Sequence, residues 1–232
     1  MEISAVLPAW NEAENLAAVV AGLTEALAGA AARHEIIIVD DGSHDGTAAV
    51  AAGLSHRDGR VRVVHHPSRQ GYGAALRSGF AAARFEWIFF TDADAQFDPA
   101  ELGRLTAEAP GHLFIAGFRA RRADPWRRRA SGFIFSAAVR ALFKVKATDI
   151  NCAFKLFRKD LIRGHEFISR GALLNAELLA LAARRGVDPV EVAVSHQPRL
   201  RGLNTGGSAR VIARAGREIV ALYLDARRKK KM

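Results

Sequence analysis

The sequence predicts an α/β protein built on a mostly parallel, doubly wound sheet flanked by helices. Three observations carry this expectation. Short strand-like runs alternate with alanine- and leucine-rich helical stretches over the first half of the chain, the order that βαβ units produce. The runs are apolar throughout, as in Ile36, Ile37, Ile38 and Val39, which fits strands covered on both faces. Polar clusters around Glu12, Asp40 and Asp92 each follow such a run. If right-handed crossovers set every strand's carboxyl end on one edge, these clusters meet at a single rim, where open α/β sheets bind nucleotide-type ligands.

In order, residues 3–7 read as the first strand. Asn11 then caps a long helix through residue 28. Residues 35–39 form a second strand, ending in the polar segment Asp40-Asp41-Gly42-Ser43 before another alanine-rich helix. Residues 61–65 are a third strand. The glycine-containing loop 69–73 opens a helix through residue 83; its Gly71 and Gly73 suit either close phosphate approach or a plain helix-opening turn.

The fourth strand, Trp87, Ile88, Phe89 and Phe90, empties into Asp92-Ala93-Asp94. In extended chain, positions i and i+2 face the same side, so both carboxylates can address one cation. Hard oxygen ligands with open positions left over suit Mg²⁺ or Mn²⁺ shared with a diphosphate. A bare pair of this spacing is also a common acidic surface turn; the apolar strand feeding it favours the rim. Asp98-Pro99 reads as a helix cap followed by a first-turn proline.

Residues 113–117 read as a fifth strand, followed by a basic segment over 119–129 and an apolar helix over 132–145. Residues 149–157 look strand-like, 173–185 helical, and 190–195 a last strand leading to His196 and Arg199. A glycine-rich loop over 202–207 precedes an amphipathic helix over 208–226 with Val211, Ile212, Ala215, Ile219 and Leu222 on one stripe, and then a polybasic end. The expected organisation is one domain over 1–207 and a C-terminal helix with basic tail over 208–232, suited to a membrane surface or a dimer contact.

At 232 residues the chain can bury a substantial core, and half of it is hydrophobic, which excludes general disorder. Cys152 is the only cysteine, so no internal disulfide framework exists, and a reducing compartment is expected. No targeting segment precedes the first strand and no apolar run reaches membrane-spanning length. The formal net charge of +10 implies an anionic partner. Nucleic acid is disfavoured, because the aromatics sit in core-like runs and do not interleave with the basic residues. A dinucleotide enzyme is disfavoured too, since no G-x-G-x-x-G follows the first strand.

VLPAWNEAENL, IIIVDDGSHDGT, GYGAALRSGF and TDADAQFDP, in this order, resemble the family 2 glycosyltransferases of the GT-A fold. GFRARRADPW, TDINCAFKLFRKDL, GALLNAELLALAARRG and EVAVSHQPRLRG resemble the dolichyl- or polyprenyl-phosphate sugar synthases. The resemblance implies a metal-dependent, inverting transfer of a hexose from a UDP- or GDP-sugar to polyprenyl phosphate, with Mg²⁺ or Mn²⁺ as cofactor. It implies that Pro8, Ala9, Glu12, Asp40, Asp41, Gly71 and Asp92 bind the nucleotide sugar, and that Asp92, Asp94 and Gln96 hold the metal. Arg119, Arg127, Arg128, Arg129, Ser131 and Arg199 would face the acceptor phosphate. Asp94, Asp149, Arg119 and Arg199 would carry the catalysis. Three departures leave the sugar open: Ala9 stands where a tyrosine is common, Asn204-Thr205 where mannosyl enzymes carry Ser-Lys, and Asn151 where a second aspartate is frequent.

A phosphate nucleophile is already ionised, so guanidinium groups that hold two anions together matter more than a strong base. Asp149 is open between acting as base, orienting the acceptor and capping a turn. His196 is open between diphosphate contact and a structural role, and Cys152 reads as a small core residue. The polybasic end and the apolar helix suggest peripheral attachment to the inner face of an anionic membrane from the cytoplasm; a homo-oligomer is equally allowed. A soluble acceptor is the alternative within the same chemistry.

Overall fold

The computed structural model describes residues 1–120, 126–199, 219 and 222–224, with main chain alone over 126–131. Its element order is β1 (Glu2–Ala9), α1 (Ala13–Ala30), β2 (Arg33–Asp40), α2 (Thr47–Arg57), β3 (Val61–His65), α3 (Tyr72–Ala82), β4 (Trp87–Thr91), α4 (Leu102–Glu108), β5 (Phe114–Arg119), α5 (Trp126–Phe143), β6 (Phe154–Arg158), α6 (Leu174–Arg184) and β7 (Val190–Val194). The strands form one seven-stranded sheet in the order β3-β2-β1-β4-β6-β5-β7. β1 pairs in parallel with β2 and β4, β2 with β3, and β5 with β7.

β6 is the exception to the expected single direction: it runs antiparallel to both β4 and β5. The correction has a use. Because β6 is reversed, its leading turn, not its end, lies on the same rim as the ends of the other strands. That turn carries Asp149, and the strand begins at Phe154, not at residue 149.

The apolar runs are buried as their composition requires. Ile36, Ile37, Ile38, Val39, Ile88, Phe89 and Phe90 are all sealed from solvent. At the edge of the sheet away from the site, Ser4 donates to buried Glu35 at 2.8 Å, and Arg62 and the Arg84 amide reach the same carboxylate. These bonds hold Glu35 below the usual carboxylate range although burial alone would raise it.

Asn11 does not cap α1. It adopts φ 55°, accepts from the His44 amide at 2.9 Å, and donates its own amide to Ser43. The helix starts at Ala13, whose amide is satisfied by Asp45 from the β2–α2 loop. Asparagine tolerates this left-handed conformation, so it serves as the bend that turns β1 into the helix. The Asp98-Pro99 expectation holds: Asp98 accepts from the Ala100 amide at 3.0 Å and caps a short 3-10 turn leading into α4.

α5 occupies 126–143 instead of 132–145, and presents Phe133 and Ile134 to solvent at 67% and 69% exposure while Val139 is buried. Most of the expected helix over 208–226 lies outside the described residues, as do the loop over 202–207 and the basic tail. Of its stripe, Leu222 is buried in the core and neighbouring Tyr223 packs edge-on against Phe143, so at this point the apolar face covers the protein itself. No described helix is long and apolar enough to cross a membrane.

Candidate active site

The rim gathers residues from the ends of five strands and the start of the reversed one. Glu12 follows β1, Asp41 follows β2 with Asp40 its last residue, Asp92 and Asp94 follow β4, Arg119 ends β5, Asp149 precedes β6, and Arg199 follows β7.

Asp92 is half-buried, less covered than Asp40, but crowded by Asp94. Burial first, and then the negative charge of Asp94, push its carboxyl up to about 7. Its Oδ1 is buried without a hydrogen-bond partner. Tyr72, the first residue of α3, lies close enough to Asp92 for each to shift the other, yet its buried hydroxyl makes no hydrogen bond of good geometry. Tyr72 and Asp92 thus meet in poor geometry, a costly arrangement in a folded interior that an additional polar partner would relieve. Ala95, between Asp94 and Gln96, is held at φ 59°, a conformation costly for a residue with a Cβ and frequent where loops are shaped for ligands.

Glu12 joins this cluster. Burial raises it above the usual carboxylate range, against hydrogen bonds from Asn15 at 2.8 Å and from Arg199. Arg199 is shared: its Nη2 meets Glu12 and its Nη1 lies 3.4 Å from Asp94. The segment bearing Arg199 is stitched to the acidic loop twice through Gln96, whose carbonyl accepts from the Gln197 amide and whose side-chain amide donates to the Gln197 carbonyl, each at 2.8 Å. His196 packs edge-on to Phe97.

The donor set fits a divalent ion. Asp92 and Asp94 carry hard oxygens close enough for the charge of Asp94 to raise Asp92, one Asp92 oxygen has no partner within hydrogen-bond geometry, and such crowding of negative charge is what a cation would relieve. No three His, Cys, Asp or Glu side chains among the described residues form a complete cage. An ion here would complete its shell with oxygens from water or from a substrate, as Mg²⁺ and Mn²⁺ bound to diphosphates do.

Arg119 and Asp149 form a two-point pair: Nε and Nη2 reach the carboxylate at 2.7 and 2.8 Å, with both side chains largely buried. This two-point contact, which was not among the uses expected of Asp149, fixes the direction of the Arg119 guanidinium. The Asp149 carbonyl also accepts from the Cys152 amide, closing the turn before β6.

The expected nucleoside residues divide. Pro8 and Ala9 are buried at the end of β1, and Asp40 is fully buried, bonded by the Ser43 amide and by His65 Nδ1 at 2.8 Å. Asp41 is turned to its own chain: His66 and the amides of Gln70 and Gly71 reach it at 2.7 to 2.9 Å. Gly71 sits at φ 106° with its amide on Asp41, and an added Cβ would meet the Arg170 carbonyl at 2.7 Å. The glycines here serve backbone-to-backbone packing. Trp10 is covered on one face by the Arg69 guanidinium, 3.4 Å from the ring centroid. The side chains of Arg127, Arg128, Arg129 and Ser131 lie outside the described residues.

Sequence reasoning missed Tyr72, Asn175 and Lys155. Lys155 carried a signal: a lone lysine inside the apolar run Ala153-Phe154-Lys155-Leu156-Phe157 is either an edge residue or a buried charge. Here it is wholly buried, and burial holds its ammonium below the usual lysine range. Cys152, at its side, is a buried core thiol pushed up to about 12 by burial.

A sheet of this order, with paired aspartates after β4 opposite arginines from β5 and the segment after β7, is that of a GT-A glycosyltransferase. The chain belongs to glycosyl transferase family 2, whose family model, "Glycosyl transferase family 2", matches residues 4–165. It is 32% identical over 224 residues to an uncharacterized glycosyltransferase of Mycobacterium tuberculosis, covering 95% of this chain and 94% of that one. It is 30% identical to the polyprenol monophosphomannose synthase of Mycolicibacterium smegmatis, over 86% of this chain and 78% of that one. It is 28% identical to the undecaprenyl-phosphate 4-deoxy-4-formamido-L-arabinose transferase of Aeromonas hydrophila, over 90% of this chain but only 64% of that transferase's length.

Among solved structures, mannosyl-3-phosphoglycerate synthase from Rubrobacter xylanophilus superposes with a TM-score of 0.74 at 18% identity, over all of this chain and 76% of that one. Glucosyl-3-phosphoglycerate synthase from Mycobacterium tuberculosis, in complex with Mn²⁺, UDP and glucosyl-3-phosphoglycerate, superposes with a TM-score of 0.69 at 21% identity, over 97% and 79%. These last two likenesses concern the fold.

Proposed function

We propose that this glycosyltransferase moves a hexose from a UDP- or GDP-sugar to polyprenyl phosphate, with inversion at the sugar and with Mg²⁺ or Mn²⁺ at Asp92 and Asp94. The observation that carries this reading is the juxtaposition of a charge-crowded acidic loop with Arg119 and Arg199 on one rim. The relatives named for undecaprenyl-phosphate and polyprenol substrates support the lipid acceptor.

When bound, the ion supplies Lewis acidity to the departing diphosphate. Asp92 and Asp94 would hold it, while Gln96, expected as a third ligand, has its side-chain amide on the Gln197 carbonyl and braces the loop. Pro8, Ala9, Glu12, Asp40, Asp41 and Gly71 shape the nucleoside side, Asp41 by fixing the Gln70–Gly71 turn. Arg119, oriented by Asp149, and Arg199 hold the acceptor phosphate beside the donor, joined by Arg127, Arg128, Arg129 and Ser131. No strong base is needed, because that phosphate arrives ionised. Exposed Phe133 and Ile134 on α5 and the basic tail would bring the enzyme to an anionic membrane carrying the acceptor.

The test is a screen of UDP- and GDP-sugars against undecaprenyl phosphate with Mg²⁺ or Mn²⁺, with EDTA and phosphate-free undecaprenol as controls. Metal-dependent product on the lipid phosphate is expected. Turnover only with water-soluble acceptors would replace the lipid reading. Flotation with anionic liposomes tests the membrane: if all protein stays soluble and loss of residues 227–231 changes nothing, that part fails.

A further inference from the structure

Lys155 lies beneath the rim and belongs to none of the roles above. It stands in β6, in the middle of the sheet, in register with Phe90 of β4 on one side and Ala116 of β5 on the other. No part of it reaches solvent. Its Nζ donates to the carbonyl of Ile150 at 3.2 Å, to the carbonyl of Cys152, and to Asn175 Oδ1 at 3.2 Å. An ammonium has three N–H donors, and here each has an acceptor.

Two of those acceptors flank Asn151, in the turn that joins Asp149 to β6. The Asp149 carboxylate in turn holds Arg119 at two points. The chain of contacts is continuous: Lys155 to the carbonyls at 150 and 152, that turn to Asp149, and Asp149 to the guanidinium. Stability alone does not call for an amine at this place, because desolvating a charge is costly and an apolar side chain of similar length packs a core as well. What the amine does and a methyl group cannot is draw two main-chain carbonyls to one point, which fixes the shape of the turn.

We propose that Lys155 is a positioning residue for the transfer reaction: by gripping the Ile150 and Cys152 carbonyls it sets the turn that aims Asp149, and through it the Arg119 guanidinium, at the acceptor phosphate. The inference rests on the transferase reading above for its choice of substrate. Its geometric half, from Lys155 to Arg119, does not.

The test uses the full chain with Lys155→Met, and Lys155→Gln as the variant that keeps N–H donors one bond short of the lysine nitrogen. Two readouts are taken. One is steady-state transfer to undecaprenyl phosphate, set beside nucleoside diphosphate–Mn²⁺ binding by calorimetry. The other is the Arg119 Nε–H resonance, identified by its loss in Arg119→Lys. Expected are a rise of about tenfold or more in the acceptor KM of Lys155→Met, nucleotide affinity within about twofold of the parent, partial recovery in Lys155→Gln, and a shifted Arg119 resonance. Equal loss of donor binding and acceptor use would mark a general structural role and overturn the proposal, as would an unmoved Arg119 resonance. If Lys155→Met does not fold, Lys155→Gln carries the same comparison. A shifted resonance in a protein whose parent form transfers nothing to lipid phosphate would refute the acceptor reading and leave the positioning role standing.

Discussion

Arg199 and Asp94 stand 105 residues apart in the chain, yet the Arg199 Nη1 lies 3.4 Å from the Asp94 Oδ2 while its Nη2 is bonded to Glu12. The guanidinium thus answers part of the negative charge that a metal ion would answer when bound. On the proposed function, ion and arginine would compete for one carboxylate. Removing the cation with Arg199→Ala should tighten the binding of Mn²⁺ alone several-fold, read by calorimetry or by the Mn²⁺ resonance. The same change should lower kcat/KM for the acceptor about a hundredfold, the typical cost of losing one charge-stabilising donor. Equal weakening of donor and acceptor use would contradict the assignment of Arg199 to the acceptor.

Asp94→Asn separates chemistry from stability at the same locus. The substitution removes the charge that helps raise Asp92, a gain, and weakens the 3.4 Å contact to Arg199, a loss that opposes it. Thermal unfolding should therefore shift little. Transfer should fall at least about a thousandfold, because a neutral amide is a poor ligand for a hard divalent ion. Undiminished turnover by this variant in EDTA would reject metal-dependent catalysis.

Glu177 gives the acid limb of stability. It is buried in α6, where burial alone would raise its carboxyl. Bonds from His165 and from the amides of Ile168 and Ser169, at 2.9 to 3.1 Å, outweigh that and hold it below the ordinary 4.5. A depressed acid contributes stability that is present above the ordinary value and is lost as pH falls through the folded one. Glu177→Gln should cost roughly 1–3 kcal/mol at pH 7. The gap between variant and parent should narrow as the pH is taken below 4.5, measured by urea unfolding at each pH.

How much of this was legible follows from the length scale of each signal. Apolar runs such as Ile36 to Val39 fixed the strands, since burial on both faces is written in adjacent residues. The rim was legible because polar clusters follow those runs. The direction of β6 was not: nothing within Phe154 to Arg158 records which way its neighbours run. Asn11 misled because asparagine is favoured both as a helix cap and in the left-handed bend that it adopts. The pairs Arg119–Asp149 and Arg199–Glu12 join residues 30 and 187 positions apart, so residue types suggested the chemistry while only the folded chain assigned the partners.

Gly73 and Gly53 make a matched pair of opposite sign. A Cβ on Gly73 would lie 2.8 Å from main-chain atoms of residues 169, 170 and 171, and main chain cannot rotate away as a side chain can. Its amide also bonds the Arg170 carbonyl at 2.9 Å, so moving the helix start aside breaks that bond as well. Gly73→Ala should therefore cost about 1–3 kcal/mol or more, the range for forcing atoms into a filled interior. Gly53, inside α2, has nothing within 4 Å of the same added atom. There alanine only restricts the unfolded chain and improves the helix, a gain of about 0.4–1 kcal/mol. Thermal unfolding of the two single variants decides it. If Gly73→Ala is as stable as the parent, the close packing of the α3 start against 169–171 is not what holds the Gln70–Gly71 turn on Asp41.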